Sequence, residues 1–165
     1  MTTDSLVEVR DGSASLWIDA RYFPITIYTW QRSSLRLAHE YSLARRHFDA
    51  RARREERKII LVSDLTEFGM PTASVRKAIA DDAAEIDRSD AMHGYVCVVP
   101  NALIRGVITA MVWIIGGQTR PNTNVADLPG ALRVALTECD RVGQPRPELD
   151  PDSYALSTSE FVRTA

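Results

Sequence analysis

The stretch SDLTEFGMPTAS, residues 63–74, sets hydroxyls at Ser63, Thr66, Thr72 and Ser74 beside carboxylates at Asp64 and Glu67. It follows the apolar run KIILV and precedes a helical pattern, so it joins a strand end to a helix start. Such junctions hold anions, substrates or partners in α/β proteins, because free backbone N–H groups and the positive helix end face them. Two readings of the residues stand side by side. Serine, threonine and aspartate satisfy turns and N-caps. The same groups also make an interaction surface, with Ser74 as its switch. Ser74 belongs to the first helical turn and lies off the Val75–Ile79 stripe, so it is expected at the surface. A phosphate there would meet the positive helix end, with the Asp64 charge opposing it.

Other chemistry is thinly represented. His39, His47 and His93 are scattered, and none pairs with a cysteine or serine in a nucleophile motif. Cys97 sits inside an apolar run, and neither it nor Cys139 has metal-ligand or CxxC spacing. There is no GxGxxG and no P-loop, and the glycines of WIIGGQ follow a helix rather than precede one. We therefore expect no enzyme, no metal and no cofactor. The basic run RRHFDARARREERK projects Arg46, Arg51, Arg53, Arg54 and Arg57 opposite the Leu37–Phe48 stripe, with Asp49, Glu55 and Glu56 interleaved as helical partners. That describes a solvated helix face, and no aromatic platform for nucleic acid accompanies it.

The totals agree with that restraint. A chain of 165 residues makes one domain, large enough to bury roughly 70% of its unfolded surface. Its 45% hydrophobic content is ordinary, and a net charge of -2 argues neither for a nucleic-acid binder nor for an acidic tail protein. MTTDSLVEVR lacks the apolar core of a signal peptide. The longest apolar run, VITAMVWII, falls far short of the about 20 residues a membrane span needs. A cytoplasmic protein is the expectation.

The elements that must position these residues follow from periodicity. LVEVR, Asp11-Gly12 and SASLWID predict a β-hairpin, which Pro24 closes. A helix is predicted from about Thr29 to Arg53, on the recurrence of Leu37, Tyr41, Ala44 and Phe48. KIILV and GYVCVV predict neighbouring central strands. Between them, Thr72 caps a helix whose stripe is Val75, Ile79, Ala83 and Ile86. Asn101 opens another helix, to about Ile114, before Gly116-Gly117. NTNVAD is a short strand and LPGALRVALTECDR a last helix. The fold class is α/β, a single mixed β-sheet with about four α-helices packed against it, in the order β-β-α-β-α-β-α-β-α. The domain is expected over residues 1–143, with residues 144–165 a Pro- and Ser-rich tail.

This order, over roughly residues 5–141, resembles the STAS domains of the anti-sigma-factor antagonists, the SpoIIAA-like fold. Those carry a strand ending in Asp-Leu-Ser, then Asp-Ser-Ser-Gly at a helix start. Asp64-Leu65-Thr66 matches the first part, and Thr72-Ala73-Ser74-Val75 stands where the second would be, without its aspartate and glycine. Ser74 falls on the position that family phosphorylates. VVPNALIRGVITAMVW also resembles a strand, proline and Arg-Gly helix of bacterial STAS-like proteins, carried by Arg105, Gly106, Thr109 and Trp113. The resemblance implies a non-enzymatic regulatory domain that acts in signalling by binding another protein through Asp64, Thr66, Glu67, Thr72 and Ser74. The alternative is a carrier of a small apolar, lipid-like ligand lined by Val107, Met111 and Trp113.

The predicted helix over 101–114 is apolar nearly all round, which a helix packed on one sheet face should not be. Either the tail folds back over it through Tyr154, Leu156 and Phe161, or a second copy does, giving a homodimer.

Overall fold

Gly12 takes φ +60° at the first central position of a two-residue turn, with Asp11 and Ala14 paired on either side. Without a Cβ it reaches that left-handed value at no steric cost, so the chain reverses there. The turn joins β1 (Leu6–Asp11) to β2 (Ala14–Asp19) in the expected antiparallel hairpin. The computed structural model describes residues 5–86, 88–99, 106, 122–156 and 162–163.

The next element corrects the sequence reading. Residues 25–31 form a strand, β3 (Ile25–Gln31), where the end of the hairpin and the start of a helix were expected. ITIYTW alternates β-branched and aromatic residues, which suits a strand buried on both faces. Ile25 and Ile27 point to one face of the sheet, and Tyr28 and Trp30 to the other. Helix α1 (Leu35–Arg54) starts six residues later than Thr29, where the Ser34 hydroxyl accepts the Leu37 N–H at 3.1 Å. The 3.6-residue period located the helix body and said nothing of its first residue.

After α1 come β4 (Ile59–Glu67), α2 (Ala73–Ile86), β5 (Met92–Val98), β6 (Asn122–Val125) and α3 (Leu128–Arg141). The strand order is β6-β5-β4-β3-β2-β1, extended at the β1 edge by the two-residue β7 (Val162–Arg163). β1, β2 and β3 pair antiparallel, while β3 through β6 run parallel. The neighbouring strands expected from KIILV and GYVCVV are β4 and β5. Of about four expected helices, three occur among the described residues. The helix expected over 101–114 lies outside them, apart from Gly106, which is helical and exposed.

Helices α1 and α2 cover one face, over Leu16, Ile18, Tyr28, Trp30 and Leu61. Helix α3 covers the other, over Ile25, Ile27, Ile60, Val62, Val96 and Val98. Residues 144–156 also pack there. Leu149 is buried in that second core, the Gln144 amide bridges both backbone groups of Lys58, and the Tyr154 hydroxyl donates to Asp19 at 3.1 Å.

The α1–α2 contact contains a buried ion pair. Arg45 Nε donates to both oxygens of Asp82 at 3.1 Å, with both side chains 2% exposed. Burial holds the Asp82 carboxyl above its ordinary range, Arg45 pulling the other way. Around the pair, burial pushes the phenols of Tyr28 and Tyr41 well above theirs. Arg51 also departs from the solvated face expected of it: it is buried, its guanidinium 3.9 Å from the centre of the Phe23 ring. Arg46 and Arg53 do lie outside, paired with Glu85 and with Asp49 and Asp90.

Two predictions follow from this packing. Ile60 is fully buried in the central strand, so Ile60→Asp would bury an unpaired charge. Its thermal melt, followed by circular dichroism, should lose the cooperative transition. Arg45→Met strands a buried carboxylate and should cost about 3–5 kcal/mol, whereas Arg45→Met with Asp82→Leu should recover most of that loss. A buried acid whose folded pKa is raised contributes stability below its unfolded pKa and loses it as pH rises through the folded one. The single variant, with no cation to oppose the rise, should therefore regain stability as pH falls, in urea melts across the acid range.

Candidate functional site

The parallel strands β3 to β6 end on one side of the molecule, and the 63–74 junction lies there. Asp64 Oδ1 accepts both the backbone N–H of Thr66 (3.0 Å) and its hydroxyl (2.6 Å), fixing the end of β4. Phe68 is buried, its ring edge-on to Trp30 with centroids 5.2 Å apart, and it anchors the loop from below. Gly69 then takes φ +71°, and Met70 stands 59% exposed. Thr72 caps α2: its hydroxyl accepts from the Val75 N–H at 3.4 Å and its carbonyl from the Arg76 N–H at 2.9 Å. The exposed Ser74 hydroxyl lies 3.0 Å from that of Thr72.

Sheet register brings further residues to this end. Glu8, Trp17, Thr29, Asp64, Val98 and Val125 are paired in turn across β1 to β6. Val98 and Val125 belong to the core beneath α3, so the whole row lies on that face. Its polar half opens as a cleft of about 300 Å³ lined by Trp17, Thr29, Trp30, Gln31, Asp64, Thr66 and Glu67. Trp17 is half-buried. The Trp30 ring turns to the opposite face, against Tyr41 and Phe68. Gln31 accepts from the Ser15 hydroxyl at 3.1 Å, and Arg32, next in sequence, sends its guanidinium away to Ser13. The Thr29 hydroxyl is buried with no hydrogen-bond partner.

The expected site residues thus fall into separate groups. Asp64, Thr66 and Glu67 share the cleft. Thr72 and Ser74 form the first turn of α2 and do not line it. Arg105, Val107, Thr109, Met111 and Trp113 lie outside the described residues, and Gly106 has open space where a Cβ would sit. The sequence reading missed Trp17, Thr29 and Gln31, because it assigned Thr29 and Gln31 to a helix and left Trp17 without a cross-strand partner. The alternation of ITIYTW was the available signal.

A second cleft, of about 350 Å³, separates α1 from α2 and is lined by His39, Ser42, Leu43, Arg46, Ala78, Asp81, Asp82 and Glu85. Its charges are engaged: Asp82 by Arg45, Glu85 by Arg46, and Asp81 by Lys77. Among the described residues no three His, Cys, Asp or Glu side chains are placed to hold a metal ion. Burial pushes the Cys97 thiol up to about 12 and raises that of Cys139. No described helix is long and apolar enough to cross a membrane. In comparisons with known proteins, no family model, no curated protein and no solved structure matches this chain.

The capping geometry yields a test of the α2 start. Thr72→Ala removes the acceptor for the Val75 N–H and should cost about 1 kcal/mol in urea unfolding. Ser74→Asp places a negative charge in the first turn and should be neutral or stabilise by about 0.3–1 kcal/mol. A loss at Ser74→Asp as large as that at Thr72→Ala would contradict the exposed placement of Ser74.

Proposed function

We propose that the chain is a non-enzymatic, STAS-like regulatory domain that binds another protein through the β4–α2 loop and the first turn of α2. The observation that carries this reading is Met70. It is 59% exposed at the tip of a loop whose flanking side chains, Phe68 and Val75, are both buried. An exposed methionine on a fixed loop offers an adaptable apolar contact, and the hydroxyls of Thr72 and Ser74 beside it supply polar ones. The residues that carry the resemblance support the reading: Asp64-Leu65-Thr66 lies at the end of β4, and Ser74 is exposed at the start of the next helix. A phosphate on Ser74 would add charge and acceptors to this surface and so alter what it binds.

The test is quantitative affinity purification from cells that express the protein, with wild type, Met70→Glu and Ser74→Asp as baits. Both variants should melt like wild type, and both should lose or weaken the same bound protein. Identical sets of co-purified proteins for all baits would reject this surface as the contact.

A further inference from the structure

Trp17 and Asp64 stand on either side of Thr29, one strand apart from it in each direction and on the same face of the sheet. Strand spacing of about 4.8 Å therefore sets their Cα atoms about 10 Å apart, with both residues lining the cleft. The floor between them is a threonine, short enough to leave that width open, and its hydroxyl has no partner. Both hydrogen bonds from Thr66 reach Asp64 Oδ1, which orients the carboxylate and leaves Oδ2 to accept from the cleft. Glu67 adds a second carboxylate to the lining. No lysine, arginine or histidine is among the described lining residues, since the nearby Arg32 is held by Ser13.

An aromatic side chain facing carboxylates, with no cation between them, is complementary to a planar cation. Building on the binding-module reading above, we propose that this cleft receives an arginine side chain of the protein partner. The guanidinium lies against the Trp17 indole and donates to Asp64 Oδ2 and Glu67. Arginine suits the site better than lysine because its flat fork can stack on an indole and donate in its own plane at once. A side chain suits it better than free arginine, whose α-carboxylate would meet Asp64 and Glu67.

The experiment is a titration of the full chain with N-acetyl-arginine amide, followed by the NMR signal of the Trp17 indole N–H. A saturable shift is expected. It should weaken by at least about tenfold in the Asp64→Asn/Glu67→Gln double variant and weaken as salt rises. The asparagine keeps an oxygen for Thr66, and the melt of the variant reports whether the fold is kept. N-acetyl-citrulline amide, which has the shape without the charge, should give no saturable shift. The proposal is overturned if arginine amide gives no saturable shift, if citrulline amide matches it, or if the folded double variant binds as wild type does. Tighter binding of free arginine than of the amide would overturn the side-chain assignment. Ser74 lies outside the cleft, so a failed titration beside a partner still lost in Ser74→Asp rejects the arginine and keeps the binding module.

Discussion

β3 is paired antiparallel with β2 on one edge and parallel with β4 on the other, and both halves of the sheet depend on that double pairing. Its side chains divide between the two cores, with Ile25 and Ile27 beneath α3 and Tyr28 and Trp30 beneath α1. Because side chains alternate strictly along a strand, a slip of one residue would exchange the two sets and place Tyr28 and Trp30 under the wrong helix. The ladder breaks between Thr29 and Gln31, where the β4 partners jump from Asp64 to Glu67. Up to that irregularity β3 is fixed by burial on both faces. Beyond it only Gln31 remains, exposed at the rim of the cleft.

The α1–α2 face carries more polarity than a hydrophobic core requires. Arg45 lies next to Ala44 on the inner surface of α1, and Asp82 occupies the inner stripe of α2 beyond Val75 and Ile79. Two apolar helices could slide along each other with little change in buried area. A buried arginine hydrogen-bonded to both oxygens of one carboxylate has a single good register. Arg46 with Glu85 adds an exposed pair in the same register. Exposed pairs contribute little stability alone, so the buried pair is what sets the position of α2 against α1. The first turn of α2, with Thr72 and Ser74, is placed by it in turn.

Much of this was legible from residue types. Gly12 after Asp11 marked the hairpin, KIILV and GYVCVV marked neighbouring central strands, and LPGALRVALTECDR marked α3, whose cap Asp127 is the last residue of the expected strand NTNVAD. β3 was not legible, since its aromatic residues run into the helical repeat of α1 with only Gln31–Ser34 between. The Arg45–Asp82 pair was hidden for a related reason: a charged residue beside an apolar stripe reads as the edge of a solvated face until its partner is known. At the candidate site, Asp64, Thr66 and Glu67 were visible because they are local to one strand end. Trp17 and Thr29 were not, since their nearness to Asp64 comes from register across β2, β3 and β4.

The two clefts differ in what their polar groups still have to do. Between α1 and α2, each carboxylate in the lining already faces an arginine or lysine of the same chain, so a ligand would have to displace an existing pair. At the end of β3 and β4, Thr66 satisfies one oxygen of Asp64, Thr29 keeps an unpaired hydroxyl, and Trp17 remains half-buried. Unpaired buried hydroxyls are costly and uncommon in a finished interior. Thr29 carries one beside the cleft, where Asp64 keeps an oxygen that Thr66 does not use, and this makes the strand ends a better candidate for recognition than the groove between the helices.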